Sequence, residues 1–100
     1  MTVRVEFTDA AGAQVLAADA WWRANRLAAP DLFEADLAAA VEQLASLPLL
    51  AAVFAEVEGK VVRRVRMPRT RYALYFTVEG EVVSVHALWH GARGSGPPLP

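Results

Sequence analysis

The chain has no cysteine, which excludes disulfides, thiolate metal sites and a cysteine nucleophile and leaves it indifferent to redox compartment. It has no apolar run near the ~20 residues that span a bilayer. Its first residues, Met1 to Phe7, alternate in polarity, where a secretion signal would place a charged segment before an apolar one. A cytoplasmic protein without a membrane partner is expected. Large apolar side chains are few for an apolar content of 55%, because twenty of the 100 residues are alanine, so the core must rest on a small number of well-placed residues. Gly-x-Ser-x-Gly, phosphate-loop and dinucleotide fingerprints are missing, and no motif pairs two carboxylates. Hydrolase, glycosidase and nucleotide-cofactor chemistry therefore have no support, and no cofactor is implied.

Acid is also missing from one stretch. No Asp or Glu occurs between Val61 and Val78, whereas Lys60, Arg63, Arg64, Arg66, Arg69 and Arg71 place six of the ten basic residues within twelve positions. Residues 1 to 59 hold three basic and nine acidic side chains, a balance of −6; residues 60 to 100 hold seven and two, a balance of +5. The net charge of −1 thus hides a bipolar molecule. Such a basic face concentrates a polyanion or acidic partner and speeds encounter with it. It also reads as a solvated sheet face whose arginines protect strand edges, although a neutral surface lattice would intersperse both signs.

Length suits one domain, able to bury about 65% of the surface its unfolded chain exposes. Thr2 to Phe7 alternates as a half-buried strand. From Ala10 to about Ala28 an alanine-rich segment reads as a helix with Leu16, Ala20, Arg23 and Leu27 on one stripe, ended by Pro30. A second helix is expected from Asp31 to Ser46, with Asp31, Glu34 and Asp36 in its first turns and the stripe Phe33, Leu37, Ala40, Val41, Leu44 spaced for burial. Leu49 to Gly59 shows no period and reads as a loop leading into a strand. Three strands follow, Val61 to Met67, Arg71 to Val78 and Glu81 to Trp89, the last two joined at Glu79-Gly80. The expected fold is α+β, ordered β-α-α-β-β-β, a helical hairpin packed on an antiparallel sheet over residues 1–94, with residues 95–100 a flexible Gly/Pro tail.

Strand parity assigns the faces. Val83, Val85, Ala87 and Trp89 should lie under the helices, as should Tyr72, Leu74, Phe76 and Val78 and also Val61, Val65 and Met67. Arg64, Arg66, Arg71, Tyr75, His86 and His90 then share an uncovered basic and aromatic face. Arg63 conflicts with this register and requires either an edge position or a bulge. His86 and His90 lie roughly 13 Å apart along an ideal strand, without a cysteine, which argues against a metal pair; either could act as acid or base near neutrality. Trp21 and Trp22 point about 100° apart on their helix, so one is core and the other sits at the hairpin seam, or the pair lines a partner groove.

The strings Ala20-Trp21-Trp22-Arg23-Ala24-Asn25-Arg26, Pro30-Asp31-Leu32-Phe33 and Leu44-Ala45-Ser46-Leu47-Pro48 resemble the helical hairpin of the RelE/ParE superfamily of bacterial toxins. Val65 to Phe76 and Val85 to Arg93 look like strands of its meander. The resemblance implies the toxin of a type II toxin–antitoxin module, held inactive by an antitoxin whose chain wraps it. RelE-like members cut messenger RNA on the ribosome, and in that case Arg64, Arg66, His90 and Arg93 would bind phosphate and supply acid catalysis. ParE-like members poison DNA gyrase and are not nucleases. After Arg93 the sequence Gly94-Ser95-Gly96-Pro97-Pro98-Leu99-Pro100 departs from the RelE-like pattern, with no terminal tyrosine or histidine–aromatic pair. A ParE-like toxin follows, with Trp21, Trp22, Arg64, Arg66, Arg71, Tyr75 and His86 as its partner-binding residues. The alternatives are an mRNA endoribonuclease and a non-toxic binding module of the same fold.

Overall fold

The computed structural model describes residues 3–93, 96, 97 and 99. Ser95, Pro98 and Pro100 of the expected tail lie outside the described residues. Strand β1 (Arg4–Phe7) leads into helix α1 (Asp9–Asn25), followed by α2 (Leu32–Ser46), a 3-10 turn at Pro48–Leu50, and strands β2 (Ala52–Val57), β3 (Lys60–Met67), β4 (Tyr72–Glu79) and β5 (Val82–His90). They form one five-stranded sheet ordered β1-β5-β4-β3-β2. The α+β class and the helical hairpin agree with the sequence reading, with two refinements. The aperiodic segment before Gly59 contains a further edge strand, β2, and β1 runs parallel to β5 while the other pairs are antiparallel. Glu58 and Gly59, at φ 52° and 79°, close the β2–β3 hairpin, the left-handed pair a two-residue turn requires.

Thr8 caps α1, its hydroxyl accepting the Ala11 N–H at 3.1 Å. The helix turns Ala11, Ala18 and Trp22 to the sheet, with Val15 packed beside them. Leu16 and Leu27, on the stripe read from the sequence, are 73% and 80% exposed. Small residues bring α1 close enough for Gln14 Oε1 to accept the Leu88 N–H at 2.9 Å, and that hydrogen bond suits the alanine face better than a leucine ridge. The α2 stripe is as expected, with Phe33, Ala40 and Leu44 buried and Leu37 and Val41 packed against them. Phe33, Leu44, Met67, Leu74, Phe76, Val83 and Val85 are the largest fully buried side chains. They form the core between helices and sheet.

One turn is fixed from beneath. Asp36 lies on the apolar stripe of α2, 3% exposed, and its Oδ2 accepts the N–H of Arg69 (3.1 Å), the N–H of Thr70 (2.9 Å) and the Thr70 hydroxyl (2.8 Å). A buried carboxylate with three donors is stable where an unpaired one would not be. The β3–β4 turn is thereby latched to the helical layer.

Candidate functional site

The open face begins with a register shift. Tyr75 pairs with Ala87 but Phe76 pairs with Val85, leaving His86 as the extra residue of a β-bulge. Parity reverses beyond it. Ala87 and Trp89, expected under the helices, instead belong to a second apolar cluster with Val62, Ala73, Tyr75 and Phe54, while Leu88 joins the main core. His90 is displaced from the face expected for it: its ring meets Tyr72 edge-on at 4.9 Å, and Nδ1 accepts the Ala92 N–H at 3.1 Å. That bond leaves the neutral ring's proton on Nε2. Val61 is 42% exposed, beyond the cover of the helices.

Arg64 and Arg66 stand on the open side of β3. They line a concavity of about 570 Å³ together with Arg71, Tyr75, Trp89 and the rim residue His90, and among the described residues no carboxylate contributes to it. The guanidinium of Arg64 lies 5.4 Å from the centre of the Phe54 ring, and its Nε is buried without a hydrogen-bond partner. Phe54 in turn meets Tyr75 edge-on at 4.8 Å. Arg71 lies in the β3–β4 turn, one residue before β4, with φ 68°. Its N–H donates to Met67 O at 2.9 Å and its carbonyl accepts the Gly91 N–H at 2.8 Å. The Asp36 latch and the Gly91 bond together hold the turn that carries Arg69 and Arg71. Among the described residues Arg64, Arg66, Arg69 and Arg71 form no ion pair; the bridges present involve Arg4, Arg23 and Lys60. Arg63, on a strand that is not at the edge, is accommodated by backbone carbonyls: Nη1 donates to those of Ala51 (2.8 Å) and Leu49 (3.3 Å), tying the turn before β2 to β3.

His86 sits apart, near Lys60. Its Nε2 is 2.9 Å from the Thr77 hydroxyl, in a smaller hollow of about 180 Å³ also lined by Val62 and Leu99. Burial lowers its pKa from 6.5, helped by the charge of Lys60 and opposed by Glu79. Gly96 lies against Phe54, where a Cβ would come within 2.9 Å of the ring tip, and Pro97 is buried. Gly96 thus lies on the Phe54 side of the open face, and among the described residues Gly96, Pro97 and Leu99 do not line the arginine concavity.

Trp21 and Trp22 lie on the other side of the sheet. Trp22 is core, its indole N–H donating to Ala29 O at 2.9 Å to close the helical hairpin. Trp21 is 46% exposed, and Arg26 lies over both rings, 5.0 and 5.6 Å from their centres. A second groove of about 540 Å³ runs between α1 and β5, lined by Trp21, Trp22, Arg26, Tyr72, Leu88 and His90. Arg23 joins the two helices through Asp19, Asp31 and Glu34. Arg93 ends a 3-10 turn, Gly91–Arg93, and its side chain lies outside the described residues. Of the residues expected on one open face, Arg64, Arg66, Arg71, Tyr75 and His90 line the arginine concavity and His86 a separate hollow, while Trp21 and Trp22 line a groove of their own. Sequence reasoning missed Phe54, Trp89 and Asp36; only Asp36 carried a signal, as a charge on an apolar helical stripe.

The family model of the ParE toxin of the type II toxin–antitoxin system parDE matches residues 5–94. The chain belongs to the ParE toxin family. Its fold is similar to that of a solved chain from the chromosomal ParDE toxin–antitoxin system of P. aeruginosa, with a TM-score of 0.68 and 21% sequence identity, covering 88% of this chain and 95% of that one. No curated protein matches. This ParE-family chain places its uncompensated arginines on the face away from the helical hairpin. Among its described residues no cluster of three or more His, Cys, Asp or Glu side chains is arranged for a metal, and no helix is long and apolar enough to cross a membrane.

Proposed function

We propose that this ParE-family toxin acts in the cytoplasm by inhibiting DNA gyrase through its arginine face and is neutralised by a cognate antitoxin. The carrying observation is the concavity of Arg64, Arg66 and Arg71, which among the described residues contains no carboxylate and is stiffened from behind by Asp36. A surface whose charges are left uncompensated in the free chain is suited to a partner that supplies the opposite charge. Leu16 and Trp21 on α1 and Leu27 just beyond it expose apolar area, and the groove beside Trp21 and Trp22 offers a wrapping chain a place to bury it. This assigns antitoxin and target to different sides of the sheet.

The test is expression from a tight promoter, with and without the neighbouring reading frame, together with supercoiling by purified gyrase. Loss of supercoiling and a DNA-damage response, both relieved by the antitoxin, support the reading. Codon-specific transcript cleavage with supercoiling intact contradicts it and supports a ribosome-dependent mRNA endoribonuclease, a reading favoured by Tyr75 and His90 lining the same concavity as the arginines. Unimpaired growth without any antitoxin supports a non-toxic binding module.

A further inference from the structure

We infer that the arginine concavity is a nucleic-acid phosphate site: it takes the phosphodiester and adjoining base of a DNA strand without cleaving it. This deepens the reading of the open face as the target surface, since it makes DNA held by gyrase, and not gyrase's own chain, the group recognised there.

The site combines three features. Arg64, Arg66 and Arg71 converge without a carboxylate, and a tetrahedral phosphate offers oxygens to several forked guanidinium groups at once. Arg64 Nε is buried without a hydrogen-bond partner among the described residues, a costly state for a donor. The floor is apolar and aromatic, formed by Ala73, Tyr75 and Trp89, the kind of surface on which bases stack irrespective of sequence. The volume of about 570 Å³ falls in the range of pockets that hold small ligands. An acidic peptide would use the arginines but leave the aromatic floor without a matching group. His90 Nδ1 is committed to Ala92 N–H, which leaves Nε2–H as a further donor at the rim.

The test uses the purified full chain, titrated calorimetrically with deoxyadenosine, deoxyadenosine monophosphate, inorganic phosphate, a single-stranded DNA dodecamer and a glutamate-rich dodecapeptide. The monophosphate is expected to bind at least tenfold more tightly than the nucleoside and more tightly than inorganic phosphate. The DNA should bind more tightly still, with a salt dependence reporting about two to three phosphate contacts. Arg64→Ala with Arg66→Ala should weaken DNA binding at least tenfold with an unchanged melt, the corresponding Lys pair should restore part of it, and Arg4→Ala at the far sheet edge should change it less than twofold. Equal binding of nucleoside and monophosphate, tighter binding of the peptide than of DNA, or full DNA binding by the folded double alanine variant would overturn the inference. Gyrase inhibition that survives in a double variant unable to bind DNA would overturn it, and with it the arginine face as the target surface, while leaving gyrase as the target.

Discussion

The two faces of the sheet use the same alternation of side chains to opposite ends. On the helical side Phe33, Leu44, Met67, Leu74 and Phe76 are fully buried, and the buried carboxylate of Asp36 has three donors, although Asp19 Oδ1 on α1 is buried without a hydrogen-bond partner among the described residues. On the open side a smaller cluster of Val62, Ala73, Tyr75 and Ala87 is buried, but among the described residues the arginines beside it form no ion pair and Arg64 Nε has no hydrogen-bond partner. The larger core thus lies on the helical side and the uncompensated charge on the open side. Such a division is the usual signature of a binding surface, where local rules are broken at a cost met elsewhere in the fold.

The comparison can be broken most severely from the helical side. Phe33→Ala should destabilise by about 3–5 kcal/mol, read by denaturant unfolding; a loss under 1 kcal/mol would mean that the core lies elsewhere. Asp36→Ala leaves the Arg69 and Thr70 donors unpaired and should cost about 2–4 kcal/mol. Because the turn carries Arg71, that variant should also weaken binding at the open face beyond what its stability loss explains. Thr8→Ala removes a helix cap and should cost about 1 kcal/mol with no effect on partner binding. The smallest effect concerns His86. Its folded pKa lies below the ordinary value of 6.5, chiefly through burial, so the neutral ring is favoured in the folded state. The associated stability is fully present above about pH 6.5 and is lost as pH falls through the folded pKa. For a group this exposed the change should be under about 1 kcal/mol, and His86→Gln should flatten the melting temperature between pH 7 and pH 5 relative to the parent.

Legibility followed periodicity. The α2 stripe and the register of β3 were readable because large apolar residues recur there among charged ones, and β4 because Tyr72, Leu74, Phe76 and Val78 recur at every second position. β2 was not, because Ala52-Val53-Phe54-Ala55 is apolar on both sides and carries no period. Parity in β5 failed beyond His86 for a related reason: Ala87-Leu88-Trp89 is continuously apolar, so nothing in it marks a bulge. On α1 alanine occupies every face, and close approach to the sheet selected small residues over Leu16 and Leu27. The charge anomaly pointed to the β3 arginines that line the concavity, but the floor of the concavity includes Trp89, whose face was hidden by the bulge at His86.

The most direct test exchanges charge on the open face. Arg64→Glu with Arg66→Glu is expected to abolish growth arrest while the thermal melt stays within a few degrees of the parent. Retained toxicity at an unchanged melt, or loss of the fold itself, would contradict the assignment of stability and binding to opposite faces of the sheet.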